Sequence, residues 1–140
     1  MPDYRIRPVK IMNGTLISIL AVGSGGFIGA VSRFLIGFYL SDFKLRGDAV
    51  YGTLTVNVVG SLLAGLLMGG ISSLRPGSNV QLFLIPGFLG GFTTFSALSL
   101  ETVNFMRRGE TVAALANISA NMVLGILAVF LGFILSKQFS

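Results

Sequence analysis

Four stretches of this chain carry no charged side chain, at residues 11–32, 49–74, 76–100 and 111–136. Each is longer than the roughly 20 mostly apolar residues a helix needs to cross the hydrocarbon of a bilayer. Together they take up most of the 140 residues. The expected fold class is therefore an all-α membrane protein, a single domain over 1–140 with four transmembrane helices at about 11–40, 49–73, 79–106 and 111–137. Composition agrees: 53% of the residues are hydrophobic and 11% charged, whereas a soluble domain is about 25% charged. The first run has the basic start and small residues (Gly23 to Gly26) of a cleavable leader. However, apolar sequence continues through 27–31 and three more spans follow, so a retained helix is expected.

Composition also removes chemistry. The chain has no cysteine and no histidine, so thiol reactions, disulfides and the commonest general base and metal ligand are absent. Glu101 and Glu110 are the carboxylates near spans, and both sit close to a span end. An enzyme is not expected. The net charge of +5 lies in tails and links, where it meets lipid headgroups and sets topology rather than binding nucleic acid.

The topology signal is balanced. With four spans, both termini and the middle link share one side, which carries Arg5, Arg7, Lys10, Arg75 and Lys137. The other side carries Lys44, Arg46, Arg107 and Arg108, joined by Arg33 if its side chain snorkels there. Lys and Arg near span ends normally fix orientation, and near-equal counts fix little. The expectation is an antiparallel pair of oppositely inserted subunits, against the plainer reading of one weakly specified orientation. The links are short and punctuated by Pro76-Gly77 and Arg108-Gly109, which mark turns. Gly65 and Gly69, four apart on one helical face, suit close packing within a subunit or between subunits.

Polar groups enter the apolar runs at a few places. Residues 87–101 read GFLGGFTTFSALSLE. Gly90 and Gly91 weaken a helix by about 1 kcal/mol each relative to alanine, which suggests a third helix broken near its middle. A break in lipid frees carbonyls and amides that must be buried in protein or face water, and freed carbonyls can hold a small cation. An unbroken helix whose Gly, Ser and Thr pack against neighbours reads the same residues equally well. Asn57 is either an anion-facing amide or a tie between helices. Asn117 and Asn121 share a face of the fourth span and line a path or join helices. Arg33 attracts anions into a vestibule or anchors a span edge. Glu101, placed near a span end, reads as a snorkelled surface group or a coupling carboxylate.

At these residues the chain resembles the Fluc/CrcB fluoride channel family, through GGFIGAVSRF at 25–34, GTLTVNVVGS at 52–61 and the segment at 87–101. The resemblance covers nearly the whole chain. It implies a fluoride-selective channel for passive export of cytoplasmic fluoride, built as an antiparallel dual-topology dimer in the cell membrane with a structural sodium ion at the interface. It further implies that Asn57 is the polar pore residue of the second helix and Phe95 the first of a pore-lining phenylalanine pair. By the same resemblance Ser96 and Ser99 are neighbouring hydroxyls of the motif; in the fourth helix, where the family often has tyrosine or hydroxyl residues, this chain has Asn117, Asn121 and Gly125, and Asn121 is the pore-lining candidate. The resemblance further implies that the Gly90 and Thr93 carbonyls would hold sodium and that Arg33 and Glu101 are the motif's charges. The sequence departs from the family where TTFSTFS is usual: Ala97 and Leu98 stand in place of threonine and the second phenylalanine. Leucine has no ring quadrupole, which leaves a conducting homodimer and one subunit of a heterodimer both open.

Two other functions fit four short helices. A small multidrug transporter needs a membrane carboxylate to exchange a proton for a cationic drug, and the charge at the first span is Arg33 instead. A non-transporting partner subunit would tolerate Leu98. The charge balance generates a test: reporters fused to a terminus are expected to read out on both sides of the membrane, and a signal confined to one side would exclude dual insertion.

Overall fold

A computed structural model describes residues 14–42, 50–70 and 76–138. The expected span ends at 11–13, 49 and 71–73 lie outside the described residues, as do Arg5, Arg7, Lys10, Lys44, Arg46 and Arg75, on which most of the charge balance rests. The described residues form helices joined by turns: α1 (Gly14–Asp42), α2 (Val50–Gly70), α3 (Asn79–Leu82), α4 (Gly90–Phe92), α5 (Phe95–Arg107) and α6 (Thr111–Ser136), with a wide-turn π segment, Phe83–Leu89, between α3 and α4. Four of the resulting rods, Gly14–Leu40, Val50–Gly69, Asn79–Arg107 and Thr111–Ser136, are long and apolar enough to cross a membrane. Gly23 to Gly26 lie inside the continuous α1.

The third span departs from a regular helix twice. Its break falls at Thr93 and Thr94, both extended, with ψ of 159° and 120°. Gly90 and Gly91 themselves remain helical. The glycines serve packing instead: a Cβ on Gly91 would lie 2.5 Å from the Gly26 carbonyl oxygen of α1. The second irregularity, the wide turn around Pro86, was not expected from the sequence. Proline has no N–H and its ring crowds the carbonyl four residues back, and a π-type turn widens the helix there. The turns come where expected, with Gly77 at φ 74° and Gly109 at φ 77°, the left-handed region that glycine enters without steric cost.

The two halves of the third span have different neighbours. Its first half packs on α1, whereas α5 packs on α6, and α2 and α6 pack extensively on each other. Apolar surface supplies little drive for helix association in lipid, so backbones must approach closely. A Cβ on Gly25 or Gly29 would fall on the carbonyl oxygen of Phe83 or Phe88. A Cβ on Gly65 would fall on the Val129 carbonyl, one on Gly132 on that of Leu62, and one on Gly69 on the Ser136 hydroxyl. The Gly65 and Gly69 face is thus a seam within the subunit. Gly65→Ala is expected to lower stability by about 1–3 kcal/mol through overpacking, read as a lower midpoint of thermal unfolding in detergent. Gly23→Ala, with nothing within 4 Å of its Cβ, should leave that midpoint in place.

Candidate functional site

The break between α4 and α5 disturbs the backbone hydrogen bonding of the third span, and its environment repairs only part of that. In an unbroken helix the Thr94 N–H would reach the Gly90 carbonyl and the Ala97 N–H the Thr93 carbonyl. Instead the Thr94 N–H donates to Asn57 Oδ1 at 2.9 Å, and the Ala97 N–H donates to the Thr94 hydroxyl at 3.2 Å. Thr94 is thus the N-cap of α5, a position threonine favours. Asn57 Nδ2 returns to the Thr94 carbonyl at 3.1 Å, so one amide pairs with both polar groups of Thr94. Because a backbone N–H can only donate, this pairing fixes which way the Asn57 amide faces. Unpaired in lipid, each of those backbone groups would cost several kcal/mol.

Asn57 then begins a directed chain of amides. Its Nδ2 also donates to Asn121 Oδ1 at 2.8 Å. Asn121 Nδ2 donates to the Asn117 carbonyl at 3.0 Å and to Asn117 Oδ1 at 3.3 Å. Asn117 Nδ2 donates to the Thr102 hydroxyl at 3.2 Å, which donates to the Leu98 carbonyl at 2.8 Å. Asn117, Asn121 and Thr102 are all buried. The helical spacing put Asn117 and Asn121 on one face. Thr102 was missed, and its place four residues beyond Leu98 is the signal that could have found it.

A cavity of about 240 Å³ opens beside the break. The second helix supplies Asn57 and Ser61, the break Thr93 and Thr94, α5 Phe95 and Leu98, and α6 Asn121 and Met122. Four of the residues singled out in the sequence as pore-lining, Asn57, Phe95, Leu98 and Asn121, therefore meet here. Phe95 is 70% exposed on the subunit surface and Leu98 is 4% exposed. Ser61 and Met122 were missed. Ser61 lies one turn beyond Asn57, and Met122 follows Asn121, so helical spacing pointed at the first.

Ser96 and Ser99 lie elsewhere. Ser96 lines a second, larger groove of about 830 Å³ together with Arg33, Thr53 and Glu101. The Ser99 hydroxyl turns back to the Phe95 carbonyl at 2.9 Å, and Ser99 lines neither space. Glu101 differs from the snorkelled surface group that the sequence suggested. It is half-buried, inside the third span, and accepts from the Thr53 hydroxyl of α2 at 2.5 Å. The sequence places it at the end of a charge-free run, but the helix continues to Arg107, which draws it inward. Arg33 reaches the break and donates to the Thr93 carbonyl at 3.2 Å. Gly90 is exposed and Thr93 half-buried, and the rerouting described above removes the helical N–H partner from both carbonyls.

The same residues carry the chain's likeness to known proteins. The family model described as CrcB-like protein, Camphor Resistance (CrcB), matches residues 20–133. The chain belongs to the CrcB family. Among similar CrcB relatives, the protein named fluoride-specific ion channel FluC of Ruminiclostridium cellulolyticum is 42% identical over 123 residues, which cover 87% of this chain and 94% of the relative. The protein of the same name from Hydrogenovibrio crunogenus is 41% identical over 125 residues, covering 89% and 94%. That of Syntrophotalea carbinolica is 44% identical over 115 residues, covering 81% and 92%. A chain of this family with four helices long and apolar enough to cross a membrane is a multi-pass membrane protein.

The amide chain makes a quantitative claim. Thr102→Val and Asn117→Leu should each destabilise the protein, and the double variant should lose less than the sum. The coupling expected from interhelical hydrogen bonds in a membrane is about 0.6–1.7 kcal/mol, measured as a double-mutant cycle of unfolding in mixed micelles.

Proposed function

We propose that this protein is a fluoride-selective channel that lets cytoplasmic fluoride leave the cell passively across the plasma membrane. The observation that carries the reading is the cavity at the break, where Asn57, Phe95 and Asn121 converge, in a chain whose relatives bear the name fluoride-specific ion channel. Fluoride is small and strongly hydrated, so a pore must replace its water with fixed donors. The Phe95 ring adds the positive edge of its quadrupole. The N-terminus of α5 adjoins the cavity at Thr94 and Phe95 and contributes the positive end of a helix dipole. Arg33 and Glu101 face the larger groove, the vestibule of this reading.

The assembly that suits this function is an antiparallel dual-topology dimer. Near-equal counts of basic residues support it, as does the exposure of Phe95, since one subunit leaves that ring uncovered. Leu98 supplies no ring where the family motif has one, and a heterodimer with a complementary subunit would restore the missing edge. The carbonyls of Gly90 and Thr93 fit a structural sodium ion. Both lack their helical N–H partners, Gly90 lies at the subunit surface, and the oxygen that accepts from Arg33 keeps a second lone pair. A sodium ion held there supplies a fixed positive charge near the anion path.

Liposomes holding the purified protein alone test the reading. Fast fluoride efflux without chloride efflux is expected, together with loss of flux in Phe95→Ala, a side chain that carries no hydrogen bond and should fold. A well-folded dimer that releases no fluoride would reject the homodimeric channel.

A further inference from the structure

An anion entering the small cavity must exchange water for donors, and few donors there are free to serve. Asn57 spends its Nδ2 on the Thr94 carbonyl and on Asn121 Oδ1. Asn121 spends its own on Asn117. The Thr93 hydroxyl donates to the Leu89 carbonyl at 2.9 Å, and the Thr94 N–H is held by Asn57. The Thr94 hydroxyl caps Ala97 and lies 3.1 Å from Ser96 Oγ. Leu98 and Met122 have no strong donor. That leaves Ser61.

Resting on the channel reading above, we infer that Ser61 donates its hydroxyl directly to the permeating anion and is a specificity-determining residue of this pore. Ser61 lines the cavity one helical turn from Asn57. Serines inside helices commonly bond back to the carbonyl one turn earlier, as Ser18, Ser24 and Ser99 do here. Among the described hydrogen bonds none consumes the Ser61 hydroxyl. Opposite it stands Gly125 of α6, where a Cβ would lie 3.4 Å from Ser61 Oγ. A larger residue at 125 would crowd the hydroxyl, and glycine keeps the space beside it open. A rotating O–H that serves as donor without breaking an existing bond is suited to an ion that must enter and leave quickly.

The test is fluoride efflux from liposomes holding wild type, Ser61→Ala or Ser61→Thr, with elution from a sizing column as the check on folding. Alanine is nearly the same size and a better helix former. The expected result is a fall of about tenfold or more in Ser61→Ala, the scale of one lost hydrogen bond to a charged group, with flux recovered in Ser61→Thr. A purely structural role would not follow the hydroxyl in this way. Ser61→Cys keeps a side chain of similar shape with only a weak donor and is expected to lose flux likewise should the alanine variant not fold. A conducting wild type with an unaffected Ser61→Ala overturns this assignment alone. A silent wild type overturns the channel reading and the assignment with it.

Discussion

Everything in this structure turns on how a helix can be interrupted inside an apolar layer. Two extended residues, Thr93 and Thr94, expose backbone groups where lipid has nothing to offer them. Asn57 meets both polar groups of Thr94 from the neighbouring helix, and Arg33 meets the Thr93 carbonyl from another. The break therefore exists only where α1 and α2 both reach it. Three residues beyond Asn57, a Cβ on Gly60 would fall on the Thr93 side chain, with the Phe92 ring close behind. Asparagine and glycine act as one device: the first supplies hydrogen bonds, the second the approach that makes them short.

The packing explains why the break sits where it does. The half of the third span before it is held against α1 by Gly25, Gly29 and Gly91, and the half after it leans on α6. Meanwhile α2 and α6 are locked through Gly65 and Gly132. The third span thus passes from one packed unit to another, and a straight helix would have to abandon one of them. The small cavity is the space left at the crossing, and it is lined by residues from α2, α5, α6 and the break itself.

Much of this was legible in the sequence. Charge-free length pointed to four helices, and the glycine-rich, hydroxyl-rich segment at 87–101 allowed either an interruption at its glycines or an unbroken helix. What local pattern could not decide was which of two roles a polar residue takes. Asn57 and Asn121 fit both a tie and a pore lining on sequence, and the geometry makes each a tie between helices that also lines the small cavity. Glu101 was drawn toward a surface role because its partner, Thr53, lies 48 positions away on another helix. The wide turn at Pro86 was not foreseen, because it also requires Gly25 and Gly87 to bring α1 against it. Long-range partners of this kind leave no trace in spacing.

The direction of the amide chain bears on charge as well as on stability. A neutral amide presents an anion with two opposite faces, and its carbonyl oxygen repels where its N–H attracts. Along this chain each side-chain oxygen is already engaged: Asn57 Oδ1 by the Thr94 N–H, Asn121 Oδ1 by Asn57, Asn117 Oδ1 by Asn121. The starting donor is backbone, so Asn57 cannot turn over without leaving the Thr94 N–H bare in the bilayer interior, and Asn121 cannot turn over without setting its Nδ2 against that of Asn57. The network consequently screens the acceptors that would oppose an anion, even as it uses up most of its own donors. On the channel reading, attraction then comes from groups outside it: the Phe95 ring edge, the N-terminal end of α5 and the hydroxyl that lines the same cavity. In such a site the asparagines set the electrostatic floor of the path by what they hide, and a leucine at position 98, apolar and with its own carbonyl engaged by Thr102, adds no repulsion to it.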